Sequence, residues 1–293
     1  MRSVVLWATG RMFLLALTVA LLATHGRTDP TWERLQHGGE IRIGHTNEPP
    51  YAFQDAAGRV TGEAPEVARA VLEQMGIARQ EWVRADFGSL ITLLRTGRID
   101  MIAAGMFVTP MRAQQIAFSP PSYCTRTGLL VPSGNPLDLH DLSDVARFRD
   151  ARLAVLTGAV ESQEAKAAGI SQERIVEFPE PDAAATALAQ GLVHALALSS
   201  PSIQALADRH EGVEAAGATQ APTPPADASG GCGAFGFRLE DEALATAFSE
   251  ALTAYLGSPQ HLALVRPFGF TLANLPPGIG APSVHTSDRH EKR

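Results

Sequence analysis

The sequence has few of the groups on which metal binding and catalysis commonly depend. Only two cysteines occur in 293 residues, and no cysteines and histidines stand at the spacing of metal ligands. Neither His-Glu-x-x-His nor Gly-x-Ser-x-Gly, the motifs of zinc peptidases and α/β-hydrolases, is present. We therefore predict no metal, no cofactor and no catalytic residue, and we interpret the scattered His45, His194 and His210 as structural.

Blocks of positive charge are also lacking. The 24 Lys and Arg residues are outnumbered by 31 Asp and Glu residues, the net charge is −7, and no long basic cluster occurs. Binding to a nucleic acid or to an anionic membrane surface depends on such a cluster, so both partners are excluded. The remaining composition, 45% hydrophobic and 19% charged, is that of an ordinary globular protein with one or two domains.

Long hydrophobic runs are missing as well, apart from one near the N-terminus. Residues 12–23, "MFLLALTVALLA", follow Arg2 and Arg11 and precede small residues. The run is short for a membrane span and typical of a cleaved signal peptide, which we predict over 1–26; an uncleaved anchor is the alternative. No cysteine follows for lipid attachment. We expect a periplasmic protein with a disordered, Pro/Gly-rich and then polar tail over 276–293.

Between these ends, segments with helical and strand patterns alternate. The segment 64–76 has Val67, Val71 and Leu72 on one face and ends at Gly76, as an amphipathic helix does. Apolar strand-like runs repeatedly follow such helices, which favours an α/β fold with mostly parallel sheets flanked by helices. The predicted strands are 40–45, 98–105, 151–156, 174–178 and 192–198, and the predicted helices are 64–76, 88–97, 158–169, 182–191 and 240–257.

The alternation occurs twice, which predicts two lobes. "LLRTGRIDMIAAG" (93–105) and "ALAQGLVHALALS" (187–199) share a helix end, a glycine and a buried strand. Pro/Gly loops leading into short strands, at 119–136 and 222–238, predict that the chain crosses into the second lobe and returns. A cleft between two lobes is a natural ligand site. We assign 38–122 and 235–275 to lobe 1 and 123–234 to an inserted lobe 2.

Several stretches carry a resemblance to a known family. The segment 88–123, "GSLITLLRTGRIDMIAAGMFVTPMRAQQIAFSPPSY", resembles the signature region of type II periplasmic solute-binding proteins of the amino-acid family, the receptors of ABC importers. The stretches 61–77, 153–161 and 261–276 are similar to the binding subunits of ectoine/hydroxyectoine importers. The resemblance implies the periplasmic binding protein type II fold, two hinge crossings and lobes that close on a ligand.

The stretch "GMFVTPMR" (105–112) contains the first candidate binding residue. A buried-looking strand ends at Gly105, and an aromatic residue, a Thr-Pro helix start and Arg112 follow. A guanidinium fork fits a carboxylate through two hydrogen bonds. The resemblance implies that Arg112 clamps the ligand carboxylate, whereas an exposed arginine on a surface helix is the alternative.

The turn "TGAVE" of lobe 2 is the second candidate. Thr157, Gly158, Ala159 and Val160 lie between a strand and a helix, where free backbone N–H groups suit an anion. The resemblance implies that this turn completes the carboxylate site. Glu161 brings negative charge to the same turn, and we expect it to contact the ligand; stabilisation of the helix dipole is the alternative.

Acidic and aromatic residues of lobe 1 complete the expected site. Glu48 follows the first strand, where ligands bind in open α/β sheets. We expect Tyr51, Phe87 and Phe107 to form an aromatic box, since ring faces attract a delocalised cation. Core packing is the alternative for both phenylalanines, and it is our interpretation of Phe53.

Ser199 departs from the pattern of the α-amino-acid binders of the family. These usually carry an Asp there, which holds the ligand ammonium, and His194 also stands where related strands often have Asp. Without that carboxylate an α-ammonium group is weakly held. A cyclic amidinium with a carboxylate, as in ectoine, is held by aromatics, Glu48 and Glu161.

These residues predict a monomeric receptor that binds ectoine or 5-hydroxyectoine and delivers it to the permease subunits of an ABC importer. Another small zwitterion, such as a polar amino acid or a betaine-like solute, is the alternative ligand. A cyclohexadienyl dehydratase, an enzyme with the same fold, is a more distant alternative, with Glu48 or Glu161 as the general acid.

The two cysteines lie one in each predicted crossing. If both crossings are adjacent hinge strands, Cys124 and Cys232 lie near each other, and export to an oxidising compartment permits a disulfide. Two free, buried thiols in neighbouring strands are the equally weighted alternative.

Overall fold

The computed structural model of the protein describes residues 29–216 and 231–279. The predicted signal peptide, residues 222–230 of the second predicted crossing and most of the predicted tail lie outside these ranges. Within them, no helix is both long and apolar enough to cross a membrane.

Ten α-helices and fourteen short strands make up the described chain. In chain order the helices are α1 (Pro30–Gln36), α2 (Glu63–Gln74), α3 (Leu90–Arg95), α4 (Pro110–Ala113), α5 (Leu142–Arg147), α6 (Glu161–Ala167), α7 (Pro181–Ala189), α8 (Ser200–Ala207), α9 (Glu242–Tyr255) and α10 (Pro259–Val265). The strands are β1 (Ile41–His45), β2 (Phe53–Gln54), β3 (Val60–Thr61), β4 (Gln80–Arg84), β5 (Met101–Ile102), β6 (Ala117–Phe118), β7 (Tyr123–Cys124), β8 (Thr127–Pro132), β9 (Leu153–Leu156), β10 (Ile175–Phe178), β11 (Ala195–Ser199), β12 (Val213–Ala215), β13 (Cys232–Gly233) and β14 (Gly236–Phe237).

The sheet of lobe 1 has the strand order β4-β1-β5-β14-β6. Strand β1 is parallel to β4 and β5, whereas β14, from the C-terminal part of the chain, is antiparallel to β5 and β6. Helix α2 packs against α9 and α10. Its predicted apolar face, Val67, Val71 and Leu72, is fully buried in the same cluster as Ile41 and Ile43 of β1.

The sheet of lobe 2 has the order β10-β9-β11-β8-β12. Strand β9 is parallel to β10 and β11, and β8 is antiparallel to β11 and β12. The predicted two-lobed α/β architecture is confirmed. Each sheet is mostly parallel, as predicted, with four of its five strands running the same way. The sheets are nevertheless mixed, because one strand that follows a crossing, β14 in lobe 1 and β8 in lobe 2, runs in the opposite direction.

A two-stranded ribbon connects the lobes. Strands β7 and β13 pair antiparallel, with Cys124 directly opposite Cys232, and the Sγ atoms are 1.98 Å apart in a disulfide. The sequence left open whether Cys124 and Cys232 form a disulfide or remain free thiols, and the structure contains the disulfide. The predicted lobe boundaries, between 122 and 123 and between 234 and 235, fall at this ribbon.

Lobe 1 extends beyond its predicted limits at both ends. Helix α1 precedes residue 38: Asp29 caps it by accepting a hydrogen bond from the Trp32 amide at 2.8 Å, and Leu35 joins the core. At the other end, Pro276 is buried and Ile279 packs against the same core. Residues 276–279, which we had assigned to the tail, therefore belong to the lobe.

The strand predicted over 98–105 is much shorter than expected. Only Met101 and Ile102 pair with β1, and Gly105, with a φ of 69°, turns the chain away from the sheet. This early exit directs the residues that follow toward the space between the lobes.

Candidate functional site

A cavity lies between the two lobes, at the carboxyl ends of their parallel strands. It contains about 330 Å³ of atom-free space, part of it open to solvent. Lobe 1 lines it with Glu48, Tyr51, Phe87, Gly105, Phe107 and Arg112, and lobe 2 with Leu156, Ala159, Val160, Glu161, Leu198 and Ser199.

The Arg112 side chain is fixed by the short helix α4. Thr109 caps this helix, its hydroxyl accepting from the Arg112 amide at 3.2 Å, and Pro110 occupies the first turn. The guanidinium donates through Nη1 to the Phe107 carbonyl at 2.6 Å and through Nη2 across the cleft to the Gly158 carbonyl at 2.9 Å. Arg112 is only 7% exposed, which excludes the surface alternative.

Arg112 has no ionic partner among the described residues. Its two neighbours are neutral carbonyls, and its Cζ lies 5.3 Å from the centre of the Phe87 ring, within the range of a cation–π contact. Burial lowers the pKa of the guanidinium, and the nearby Glu161 charge partly opposes this. A buried cation without a counter-ion is costly, so the site is suited to an incoming anionic group.

Two buried carboxyl groups face the same cavity from opposite lobes. Burial raises the pKa of Glu48 to about 7, although a hydrogen bond from Ser202 opposes the shift. Burial also raises the pKa of Glu161 to about 8, with the Glu48 charge adding to the rise. Each group is stabilised as a carboxylate if a cation enters the cavity beside it.

Glu48 is held in place by both lobes. Its backbone forms a bridge with Ala52, and the Glu48 amide donates to the Ala52 carbonyl at 2.7 Å. Its Oε1 accepts from the Ser202 hydroxyl, on α8 of lobe 2, at 2.7 Å. The Ser199 hydroxyl in turn donates to that of Ser202 at 3.2 Å.

Tyr51 lies at the centre of an aromatic cluster that extends beyond the predicted box. Its ring is 4.9 Å from that of Tyr123 and 5.5 Å from that of Phe270. Gly105 makes this packing possible, because a Cβ atom there would lie 2.7 Å from the Tyr51 ring. The Tyr123 hydroxyl donates to the Gly105 carbonyl at 2.8 Å, which fixes the end of the cluster.

The three phenylalanines considered in the sequence analysis lie in three different environments. Phe107 lines the cavity and also belongs to the buried core of lobe 1. Its position therefore fits both the predicted aromatic box and the alternative of core packing. Phe87 is half-buried at the cavity. Phe53 is half-buried rather than part of the core, and its ring contacts Phe268 at 6.3 Å, outside the cavity lining.

The turn 157–161 only partly matches the predicted anion cradle. The Thr157 amide and hydroxyl both donate to the Phe178 carbonyl, and the Ala159 amide donates to Leu156, so these donors are already used. Thr157 and Gly158 do not line the cavity. Both lie instead against Gly88 of lobe 1, where the two lobes meet through backbone atoms.

The three histidines singled out from the sequence lie outside the cavity lining. His45 is buried and its Nδ1 contacts the Thr46 carbonyl at 2.8 Å. His194 accepts from the Arg152 amide at 3.0 Å, and His210 contacts Asp182 at 2.8 Å. Each makes a contact within the fold, in keeping with a structural role.

Sequence reasoning missed several residues of the site. Leu156 is the last residue of β9 and Leu198 the last but one of β11. Both therefore stand at the carboxyl ends of predicted strands, where ligand-binding residues could have been sought. Tyr123 is an aromatic residue at the end of the segment 88–123 that carries the family resemblance, and it could have been included for that reason. Phe270 and Ser202 reach the site only through tertiary packing, which no local pattern reveals.

The model of the bacterial extracellular solute-binding proteins, family 3, matches residues 41–268, well over half of the chain. The protein belongs to this family. Proteins of this family are receptors that bind small molecules and work with the permease of an ABC transporter. The site described above occupies the cleft between its lobes.

Individual relatives agree with this family assignment. A probable amino-acid ABC transporter periplasmic-binding protein of Sinorhizobium fredii is 34% identical over 253 residues, 86% of this chain and 82% of that protein. The lysine/arginine/ornithine-binding periplasmic protein of Escherichia coli is 32% identical over 98 residues, 33% of this chain and 37% of that protein.

A solved structure of EhuB in complex with hydroxyectoine is similar to this chain. The identity is 31%, the TM-score is 0.74, and the match covers 84% of this chain and 94% of EhuB. The two curated relatives are thus periplasmic binding proteins by name, and EhuB is seen with hydroxyectoine bound.

Proposed function

We propose that this family 3 solute-binding protein captures ectoine or 5-hydroxyectoine between its lobes and delivers it to an ABC permease. The observation that carries the proposal is the charge arrangement of the cavity. Arg112 is buried without an ionic partner among the described residues, and Glu48 and Glu161 face the same space. A small molecule with one carboxylate and one cationic group complements this arrangement.

The carboxylate of the ligand would bind at Arg112. A guanidinium offers five N–H donors, and the bonds to Phe107 and Gly158 use only part of them. The remaining donors can form charge-assisted hydrogen bonds with a carboxylate, which are stronger than bonds to the neutral carbonyls. Because Arg112 already bonds to Gly158, a ligand bound there contacts a cation that is itself fixed between the lobes.

The cationic part of the ligand would lie between the carboxyl groups and the rings. The faces of Tyr51 and Phe107 provide an apolar, electron-rich surface, and Glu48 and Glu161 provide acceptors. A planar amidinium uses both features, since it stacks on a ring and donates N–H groups at its edge. Ser199 supplies a hydroxyl rather than a carboxylate, so an α-ammonium group finds no anion at this position of lobe 2. The hydroxyectoine complex of EhuB, at 31% identity, supports the same ligand class.

A polar amino acid is the second candidate ligand. Its support is the local similarity to the lysine/arginine/ornithine-binding protein, over 33% of this chain. We regard the protein as a receptor without catalytic activity, and turnover of prephenate or arogenate by purified protein would contradict this.

Ligand-dependent thermal stability tests the proposal. Mature wild-type protein would be melted with ectoine, 5-hydroxyectoine, glycine betaine, arginine, glutamine or glutamate, and hits would be measured by calorimetry. Ectoine or hydroxyectoine should stabilise the fold by about 2.7 kcal/mol at a hundredfold excess over the dissociation constant, and the amino acids should not. A shift with an amino acid and none with the ectoines would assign the receptor to the second ligand class.

A further inference from the structure

Ser202 lies beside the ligand cavity without lining it. It is in the first turn of α8 in lobe 2, it is fully buried, and its hydroxyl donates to Glu48 Oε1 at 2.7 Å. Glu48 belongs to lobe 1, so this hydrogen bond crosses the cleft. Ser199 donates to Ser202 at 3.2 Å, so two lobe 2 hydroxyls form a chain directed at one lobe 1 carboxyl group.

The charged surroundings of Glu48 make this donor important. Glu180, before α7, adds like charge to these surroundings and is itself paired with Arg84 of lobe 1. Glu161 on α6, Arg112 on α4 and the Tyr51 ring line the cavity that Glu48 faces. No salt bridge involves Glu48 among the described residues. Ser202 therefore supplies the hydrogen bond that favours the ionised form of Glu48 against burial and the Glu180 charge.

We propose that Ser202 is a positioning residue of the ligand site, which holds Glu48 ionised and oriented toward the ligand only when the two lobes are closed. The inference rests on the proposed function. Ser202 contributes to affinity without touching the ligand, because its bond to Glu48 forms in the closed arrangement that also encloses the ligand. Lobe 2 thus uses a neutral hydroxyl to direct the acid of lobe 1.

The hydrogen bond from Ser202 also gives Glu48 and Glu161 different roles in the site. If both were ionised, a bound zwitterion and Arg112 would leave one excess negative charge in a buried site, which is costly. Ser202 donates to Glu48 from across the cleft, whereas the Glu161 carboxyl group accepts from its own backbone amide and forms no salt bridge with Arg112 among the described residues. Glu48 is thus the anion that pairs with the ligand cation, and Glu161 is the acid that retains a proton near neutral pH.

The test measures the affinity for ectoine by calorimetry at several pH values. Ser202→Ala removes the donor, and Ser200→Ala is the matched control: Ser200 is the neighbouring residue on α8, and its hydroxyl donates to the Arg126 carbonyl within lobe 2 at 3.0 Å. Ser202→Ala should weaken binding about tenfold near pH 6–7, the size expected for a hydrogen bond to a charged group. Ser200→Ala should bind as the wild type does.

The pH profile separates positioning from a merely structural role. Loss of the donor raises the pKa of Glu48, so the variant loses the Glu48 anion at a higher pH than the wild type does. The affinity defect should therefore be largest at about pH 6 and shrink to about twofold to threefold near pH 9. In a Glu48→Gln background, Ser202→Ala should have a smaller effect that does not change with pH.

Two results would overturn the inference while leaving the proposed function intact: affinity of Ser202→Ala within twofold of wild type, or an equal loss at every pH. If wild-type protein binds neither of the ectoines, the proposed function has failed and this inference fails with it. Melting temperatures of all variants without ligand show whether each remains folded.

Discussion

The two lobes share an architecture but differ in what they present to the cleft. Lobe 1 supplies Arg112, Glu48 and three aromatic rings, whereas lobe 2 supplies Glu161, the Ser199 hydroxyl and aliphatic side chains. Their interiors differ in the same way. The lobe 1 core includes eight aromatic residues, but the buried clusters of lobe 2, within the described ranges, hold only Ala, Val, Leu and Ile.

This difference suggests different roles for the lobes: lobe 1 for recognition of the ligand and lobe 2 for closure over it. Most of the side chains proposed to select a ligand by charge and ring contact lie on one lobe, beside its buried aromatic core. In the proposed receptor the other lobe would cover the ligand, and two hydrogen bonds already join it to lobe 1, from Ser202 and to the Gly158 carbonyl. A ligand that stabilises the closed arrangement shifts the population toward it by the difference in its affinity for the two states.

Arg112→Ala is the strongest test of the assignment of recognition to lobe 1. Loss of the guanidinium removes a charge-assisted pair from a buried site, which should reduce affinity by about 2–5 kcal/mol, or roughly thirtyfold to several thousandfold. Arg112→Lys should also bind poorly, because an ammonium does not reproduce the planar fork. Calorimetry measures the effect, with the exposed Arg95→Ala as control. Affinity within a few-fold of wild type would contradict the clamp.

Phe87→Ala should have an intermediate effect. The ring is half-buried and contacts the Arg112 guanidinium, so its loss should weaken binding by about 0.5–2 kcal/mol with little change in melting temperature. Phe107→Ala should behave differently, because Phe107 belongs to the core and its loss should also reduce stability by about 3–5 kcal/mol. The exposed Phe148→Ala on lobe 2 is the control. Unchanged affinity of folded Phe87→Ala would remove Phe87 from the site.

Gly88→Ala tests closure and should have the smallest effect. A Cβ at this position would lie 3.2 Å from the Thr157 carbonyl oxygen across the cleft, closer than ordinary contact. Folding of lobe 1 should be unaffected, whereas closure should be hindered and affinity reduced about twofold to fivefold. The adjacent, exposed Ser89→Ala is the control, and equal affinity of the two variants would show that this contact does not limit closure.

Local patterns predicted the two-lobed architecture but not the contacts between the lobes. Helix α2 was recognised because its apolar face and Gly76 are features of one continuous segment. Helix α1 was missed because it is short and adjoins the predicted signal peptide. Arg112 and Glu48 were identified from chemistry and family resemblance, whereas the partnership of Glu48 with Ser202 joins residues 154 positions apart and depends on how the lobes meet.

The disulfide has a consequence for the integrity of the chain. Cys124 and Cys232 stand at the entrance and the exit of lobe 2, 108 residues apart, so the intervening segment is a covalently closed loop. A protease that cuts once anywhere between them severs the backbone but leaves both pieces attached to lobe 1. In an exported protein that meets extracytoplasmic proteases, lobe 2 therefore remains tethered beside its partner after a single cleavage.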